Sequence, residues 1–161
     1  MRPIFMKKSL LFIVNPISGD TDKTEIIQKV KAKAEEENYD LHLYKTTGEG
    51  DQEKVSAFLK KQRPSRIIVT GGDGTISMIA ETILDLNIPM AIIPAGSANG
   101  LAVDFDLPAQ LNQQVDLAFE NTILAIDVLF INDTFALHIS DLGINAELIR
   151  NYEESGIRGN F

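Results

Sequence analysis

An alternation runs along the chain as far as Phe119 and limits the folds open to it. A short apolar run is ended by a polar break, a segment with apolar residues at helical spacing follows, and the cycle repeats. Ser9 to Val14 is continuously apolar and partly β-branched until Asn15-Pro16 stops it, as a strand buried on both faces would be. Thr21 or Asp22 can then cap a helix running to about Glu37, with Ile26, Ile27, Val30 and Ala34 on one face. Leu41, Leu43 and Tyr44 mark a second strand. Asp51 to Gln62 marks a second helix with Val55, Phe58 and Leu59 inward, and Arg63-Pro64-Ser65 ends it. Arg66 to Thr70 is a third strand, and Ile76, Ile79, Ala80, Ile83 and Leu84 give the next helix its core face. Met90 to Ile93 is a fourth strand, with short helices expected near Ala98 to Val103 and Pro108 to Phe119. Strands and helices alternating at this spacing predict an α/β domain of Rossmann-like, three-layer type around a mostly parallel sheet.

From Thr122 the pattern changes. Ile123 to Ile131, the turn Asn132-Asp133, and Thr134 to Ile139 read as a β-hairpin. Residues 1–121 are therefore expected to form the α/β domain, and 122–161 to begin a β-rich second one. The hairpin is apolar, so without further strands to cover it an exposed edge would favour homo-oligomers.

In an open α/β sheet, ligands bind beyond the carboxyl ends of the strands. Three polar, glycine-bearing loops fall there: Asn15 to Asp20, Gly71 to Thr75, and Pro94 to Gly100. The first two precede helices, whose backbone N–H groups and dipole favour phosphate. Asp73 is the odd member, because a carboxylate among phosphate-binding glycines repels phosphate unless a cation lies between them. That points to Mg²⁺, held directly or through water. A lone glycine turn after a strand is usually only a turn; three at one sheet edge, one carrying an acid, argue for a bound ligand. Neither the G-x-x-x-x-G-K-[ST] loop nor G-x-G-x-x-G follows the first strand.

Composition removes several classes. The net charge of −8 argues against a nucleic-acid partner, while a local patch could still touch a membrane. The absence of cysteine rules out thiolate chemistry and fits a reducing cytoplasm. No apolar run reaches the ~20 residues of a membrane-spanning helix. Arg2, Lys7 and Lys8 before Leu10 to Val14 have the look of a signal peptide, but five apolar residues are too few for its apolar core. His42 and His138 are expected to pack or face solvent, and Lys29, Lys31 and Lys33 to form a solvated helix face.

Asn15-Pro16-Ile17-Ser18-Gly19, Gly71-Gly72-Asp73-Gly74-Thr75 and Pro94-Ala95-Gly96-Ser97-Ala98-Asn99 together resemble the three signatures of the diacylglycerol kinase catalytic-domain family, which includes sphingosine, ceramide and bacterial lipid kinases. The resemblance covers nearly the whole chain, through about Ile149. It implies an ATP-dependent, Mg²⁺-requiring kinase that phosphorylates the hydroxyl of diacylglycerol, a sphingoid base or a related lipid, working in the cytoplasm at the membrane surface. It implies that Asn15, Pro16, Ser18, Gly19 and Thr46 line the nucleotide. Gly72, Gly74, Thr75, Gly96, Ser97 and Asn99 would cradle it, with Asp73 and Asp127 in an acidic Mg²⁺–water network. Met78 stands where many members have glutamate, and Gly100 where many have aspartate, so weaker Mg²⁺ handling is expected. Family members continue for over a hundred residues into a domain that supplies the general base and much of the lipid site. This chain is therefore expected to be a nucleotide-binding portion with little or no activity alone. An NAD kinase shares Gly-Gly-Asp-Gly-Thr but not the other two loops, and a degenerate, non-catalytic nucleotide-binding module is the other alternative.

Overall fold

The computed structural model describes residues 7–19 and 22–137. The chain separates into two compact units, Met1–Ile126 and Asp127–Phe161. The sequence places the change a few residues earlier, at 121/122.

In the first unit four strands form one sheet: β1 (Lys8–Val14), β2 (Tyr39–Lys45), β3 (Arg66–Gly71) and β4 (Met90–Pro94), in the order β2-β1-β3-β4. All neighbours are parallel, with Phe12 opposite Leu43 and Ile68, and Ile68 opposite Ala91. The two central strands carry the longest apolar runs, as strands covered on both faces require: Leu10 to Val14 and Ile67 to Val69 are all buried.

The connections decide which face each helix covers. The step from β1 through α1 (Thr24–Glu36) to β2 runs toward one edge of the sheet. The steps through α2 (Asp51–Gln62) and α3 (Asp73–Ile83) run the other way. Right-handed crossovers then put α1 on one face and α2 with α3 on the other. The packing agrees. Leu10, Phe12, Val14, Ile68 and Ile93 form one core with Ile26, Val30 and Ala34 of α1 and with Val115, Ala118 and Phe119 of α5 (Leu111–Phe119). Val55 and Leu59 of α2 and Ile76, Ile79, Ala80 and Ile83 of α3 are buried as well, while Leu84 is largely outside. Because the chain leaves β1 toward one edge and β3 toward the other, the switch point of the sheet lies between these two strands, where a ligand crevice opens in such folds.

Local chemistry sets the element ends. Helix α1 starts one turn-residue later than a cap at Asp22 would give: Asp22 Oδ1 accepts from the Thr24 N–H (2.9 Å) and hydroxyl (2.7 Å), and Lys23 is the residue before the helix. The Arg66 guanidinium is buried and donates to the carbonyls of Ala118 and Glu120, both at 2.7 Å, tying the end of α5 to the start of β3. The short helix α4 (Gly100–Asp104) follows an Asn99 in the left-handed region.

In the second unit β5 (Leu129–Ile131) and β6 (Thr134–Ala136) pair antiparallel across Asn132-Asp133, both at positive φ. The turn is where the sequence puts it, but the strands are shorter: residues 120–128 carry no regular secondary structure, and the expected end of the hairpin at 138–139 lies outside the described residues.

Candidate functional site

Every one of the three glycine-bearing loops sits at the carboxyl edge of the sheet, and they are bonded to one another. The loop after β1 reaches the loop after β3 through the Asn15 side-chain amide, which donates to Thr75 Oγ1 at 2.8 Å. The backbone N–H of Asn15 also donates to the Thr70 carbonyl at 2.8 Å. The loop after β3 meets the loop after β4 backbone to backbone: the Ala95 N–H donates to the Gly71 carbonyl (2.9 Å), and a Cβ on Gly96 would fall 2.4 Å from the Gly72 Cα. The loops after β1 and β4 touch at Gly19, where a Cβ would lie 2.9 Å from the Ala95 carbonyl oxygen and where φ is +52°. Glycine at 19 and 96 is thus needed to let the loops pack, a reason separate from any close approach to phosphate.

Each loop is also closed on itself. Asn99 forms a ring with Gly96, its Oδ1 accepting the Gly96 N–H (2.7 Å) and its Nδ2 donating to the Gly96 carbonyl (2.8 Å). Asn15 Oδ1 accepts the Ile17 N–H (3.1 Å), and the Ser18 hydroxyl donates to the Asn15 carbonyl (3.0 Å). The buried Lys23 amine donates to the Ser18 carbonyl from the α1 side. The sequence reading missed that lysine, since a charged residue before a helix is usually solvated.

Asp73 opens α3, and its carboxylate points at the loop after β4. Its Oδ2 accepts the Gly100 N–H (2.9 Å) and its Oδ1 the Leu101 N–H (3.1 Å). Among the described residues, no group of three His, Cys, Asp or Glu side chains is placed to hold a metal. What remains open is the first turn of α3: Gly74 is exposed, with nothing within 4 Å of where its Cβ would be. Ser97 and Pro16 are exposed in their own loops, whereas Thr75 is buried and bonded to Asn15. Met78, half-buried, lies one turn further along α3. Asp127 is exposed and belongs to the second unit.

The loop after β2 holds a second feature that spacing alone did not reveal. Thr46 is buried, and its N–H donates to the Val14 carbonyl at 2.9 Å, fixing it beside β1. The next residues wrap the carboxylate of Asp51, the first residue of α2 and itself buried. It accepts from the Thr47 N–H (2.9 Å), the Gly48 N–H (2.7 Å) and the Tyr44 hydroxyl (2.6 Å). Burial pushes the Asp51 carboxyl up, but these hydrogen bonds outweigh it and hold it below its ordinary value. Burial, reinforced by the hydrogen bond to Asp51 and its charge, pushes the Tyr44 phenol up to about 12. Those N–H groups are spent on a protein carboxylate, so phosphate has no call on them.

Comparison with known proteins places this arrangement. The model of the diacylglycerol kinase catalytic domain matches residues 9–131, which contain all three loops. A protein of Yersinia enterocolitica named "Probable lipid kinase YegS-like" is 29% identical over 80% of this chain and 43% of its own length. An uncharacterized protein of Synechocystis sp. is 29% identical over 85% of this chain and 34% of its own. A crystal structure of a diacylglycerol kinase from Bacillus anthracis str. Sterne superposes with TM-score 0.58 at 30% identity, covering 68% of this chain and 39% of that one. Another from the same organism reaches TM-score 0.68 at 28% identity, over 80% and 45%. The chain thus spans between about a third and just under half of the length of these relatives. With the matched segment carrying the whole parallel sheet and its three bonded loops, the chain belongs to the diacylglycerol kinase catalytic-domain family.

Proposed function

We propose that this chain is the nucleotide-binding portion of an ATP-dependent lipid kinase. The observation that carries the reading is the open first turn of α3 at Gly74, at the end of a strand beside the sheet's switch point and in a loop bonded to the two other loops. The Thr75 and Ile76 N–H groups are bonded to the Gly72 carbonyl, so the N–H groups of Asp73 and Gly74, with the positive end of an 11-residue helix, offer the anion site for the phosphates of ATP. Ser97 supplies an exposed hydroxyl. Asn15 and Asn99 are spent holding the loops, so they act by shaping the site, and Thr46 marks its β2 side.

Phosphoryl transfer rests on positioning and on neutralising phosphate charge. Among the described residues no two further acidic or histidine side chains are grouped with Asp73, so these residues do not make a Mg²⁺ site by themselves. A divalent ion would arrive on the nucleotide's phosphates and would offset part of their charge. The acceptor is a lipid alcohol at a membrane surface. The deprotonating base and most of the acceptor pocket are assigned to the portion that the relatives have beyond the matched segment.

Thermal denaturation with and without ATP tests the reading. A ligand that binds only the folded chain at a hundred times its dissociation constant stabilises it by ~2.7 kcal/mol. Chain 1–161 is expected to show a rise with ATP but not with adenosine, and to transfer no phosphate to diacylglycerol. No rise at any ATP concentration would sink the nucleotide reading, and brisk lipid phosphorylation would sink the division of labour.

A further inference from the structure

Each oxygen of the Asp73 carboxylate accepts one of the first two N–H groups of α4, at 2.9 and 3.1 Å. Those donors belong to residues 27 and 28 positions further on. Helix α4 has no side-chain cap of its own, because Asn99 has closed onto Gly96 instead. Asp73 therefore supplies from a distance the cap that a local Ser, Thr, Asp or Asn would normally give.

We propose that Asp73 is a positioning residue, a clamp that fixes the loop after β4 against the first turn of α3. The clamp answers the objection raised by a carboxylate in a phosphate site: its charge is offset by two backbone donors of α4. It also explains why the contact between Gly72 and Gly96 can be so close. Two loops packed backbone to backbone gain little apolar burial, and a charge-assisted pair of hydrogen bonds one residue from Gly72 holds them together. Ser97 and Gly74 then keep a fixed separation across which the nucleotide phosphates are received, the step that rests on the nucleotide reading above.

Two measurements on the full chain test this with Asp73→Asn and Asp73→Ala. The first is amide hydrogen exchange without any nucleotide. Loss of a charge-assisted bond predicts exchange at Gly100 and Leu101 about tenfold faster or more in Asp73→Ala. Asp73→Asn, which keeps one acceptor oxygen, should be intermediate. The second is ATP affinity, measured in Mg²⁺ and in EDTA. A clamp predicts that Asp73→Ala weakens binding by the same factor in both, with partial rescue in Asp73→Asn. Unchanged exchange at Gly100 and Leu101 would overturn the proposal. So would a loss of affinity confined to Mg²⁺ and equal in the two variants, the signature of a metal ligand. If the unmodified chain bound no ATP, the nucleotide reading would fall, and the exchange measurement would still decide the clamp.

Discussion

Gly96 and Gly74 are both glycines of the site, and the space around them makes their substitution opposite experiments. A methyl group on Gly96 would enter the Gly72 backbone, which has no flexible end to move aside. Gly96→Ala is expected to cost about 1–3 kcal/mol, as overpacking does, and to lower the urea midpoint with an unchanged slope. Gly74 lies inside a helix with open space before it, so Gly74→Ala should leave stability unchanged or raise it by roughly 0.5–1 kcal/mol. The same methyl would stand in the mouth of the α3 turn, so ATP should bind several-fold more weakly although the protein is no less stable. A Gly74→Ala variant with full ATP affinity would move the phosphate site away from this turn. The two glycines are indistinguishable in the sequence, since only the partner across the gap tells packing from access. Asp73 shows the same limit: its position in Gly-Gly-Asp-Gly-Thr was legible, but not that its partners are N–H groups 27 and 28 residues away.

At the scale of elements, helix α2 and the loop before it form a unit built on one buried carboxylate. Asp51→Ala would leave the N–H groups of Thr47 and Gly48 without their acceptor and is expected to cost ~1–2 kcal/mol, with the damage local to residues 44–51. The pair also fixes two ends of the pH profile. The Asp51 carboxyl is held below its ordinary value when folded, so the unfolded chain takes up its proton first, and that stability is lost as pH falls below about 4. Tyr44 is raised to about 12, so in strong alkali the unfolded chain gives up its proton first. Its contribution is complete below pH ~10 and is lost as pH rises toward 12. Tyr44→Phe should flatten the alkaline limb in denaturation curves taken from pH 9 to 12; an unchanged limb would assign it to the lysines. The elements themselves were legible because each needs only a local period. Helix α2 runs over the residues its pattern marks, and Asp22 accepts the Thr24 N–H at the start of α1, whereas the first strand after Thr122 is shorter than its apolar run. Apolar runs such as Ile123 to Ile131 fit a strand by composition, and pairing depends on partners that composition does not name.

For the molecule as a whole, the two units call for different solvents. The first buries the apolar runs of its two central strands, Leu10 to Val14 and Ile67 to Val69. Near its end Ile123 and Leu124 are exposed at 68% and 72%, and in the second unit Leu129 and Phe130 are exposed at 58% and 57%. Within the hairpin Phe130 gains only an edge contact with Phe135, at 5.8 Å between ring centres. Two three-residue strands are too few to be stable alone in water, and among the described residues no further strand pairs with them. Purified chain 1–161 is therefore expected to self-associate as its concentration rises, seen as a growing mass in light scattering. Replacing Leu129 and Phe130 with threonine should suppress that growth, because it removes the exposed apolar surface and keeps β propensity. The ATP-dependent rise in thermal stability should be the same in both proteins, since the three bonded loops lie wholly within the first unit. A chain that stays monomeric at all concentrations would show that these side chains are covered within one molecule. If the double variant stayed monomeric but lost its response to ATP, the hairpin would have to be counted as part of the nucleotide site.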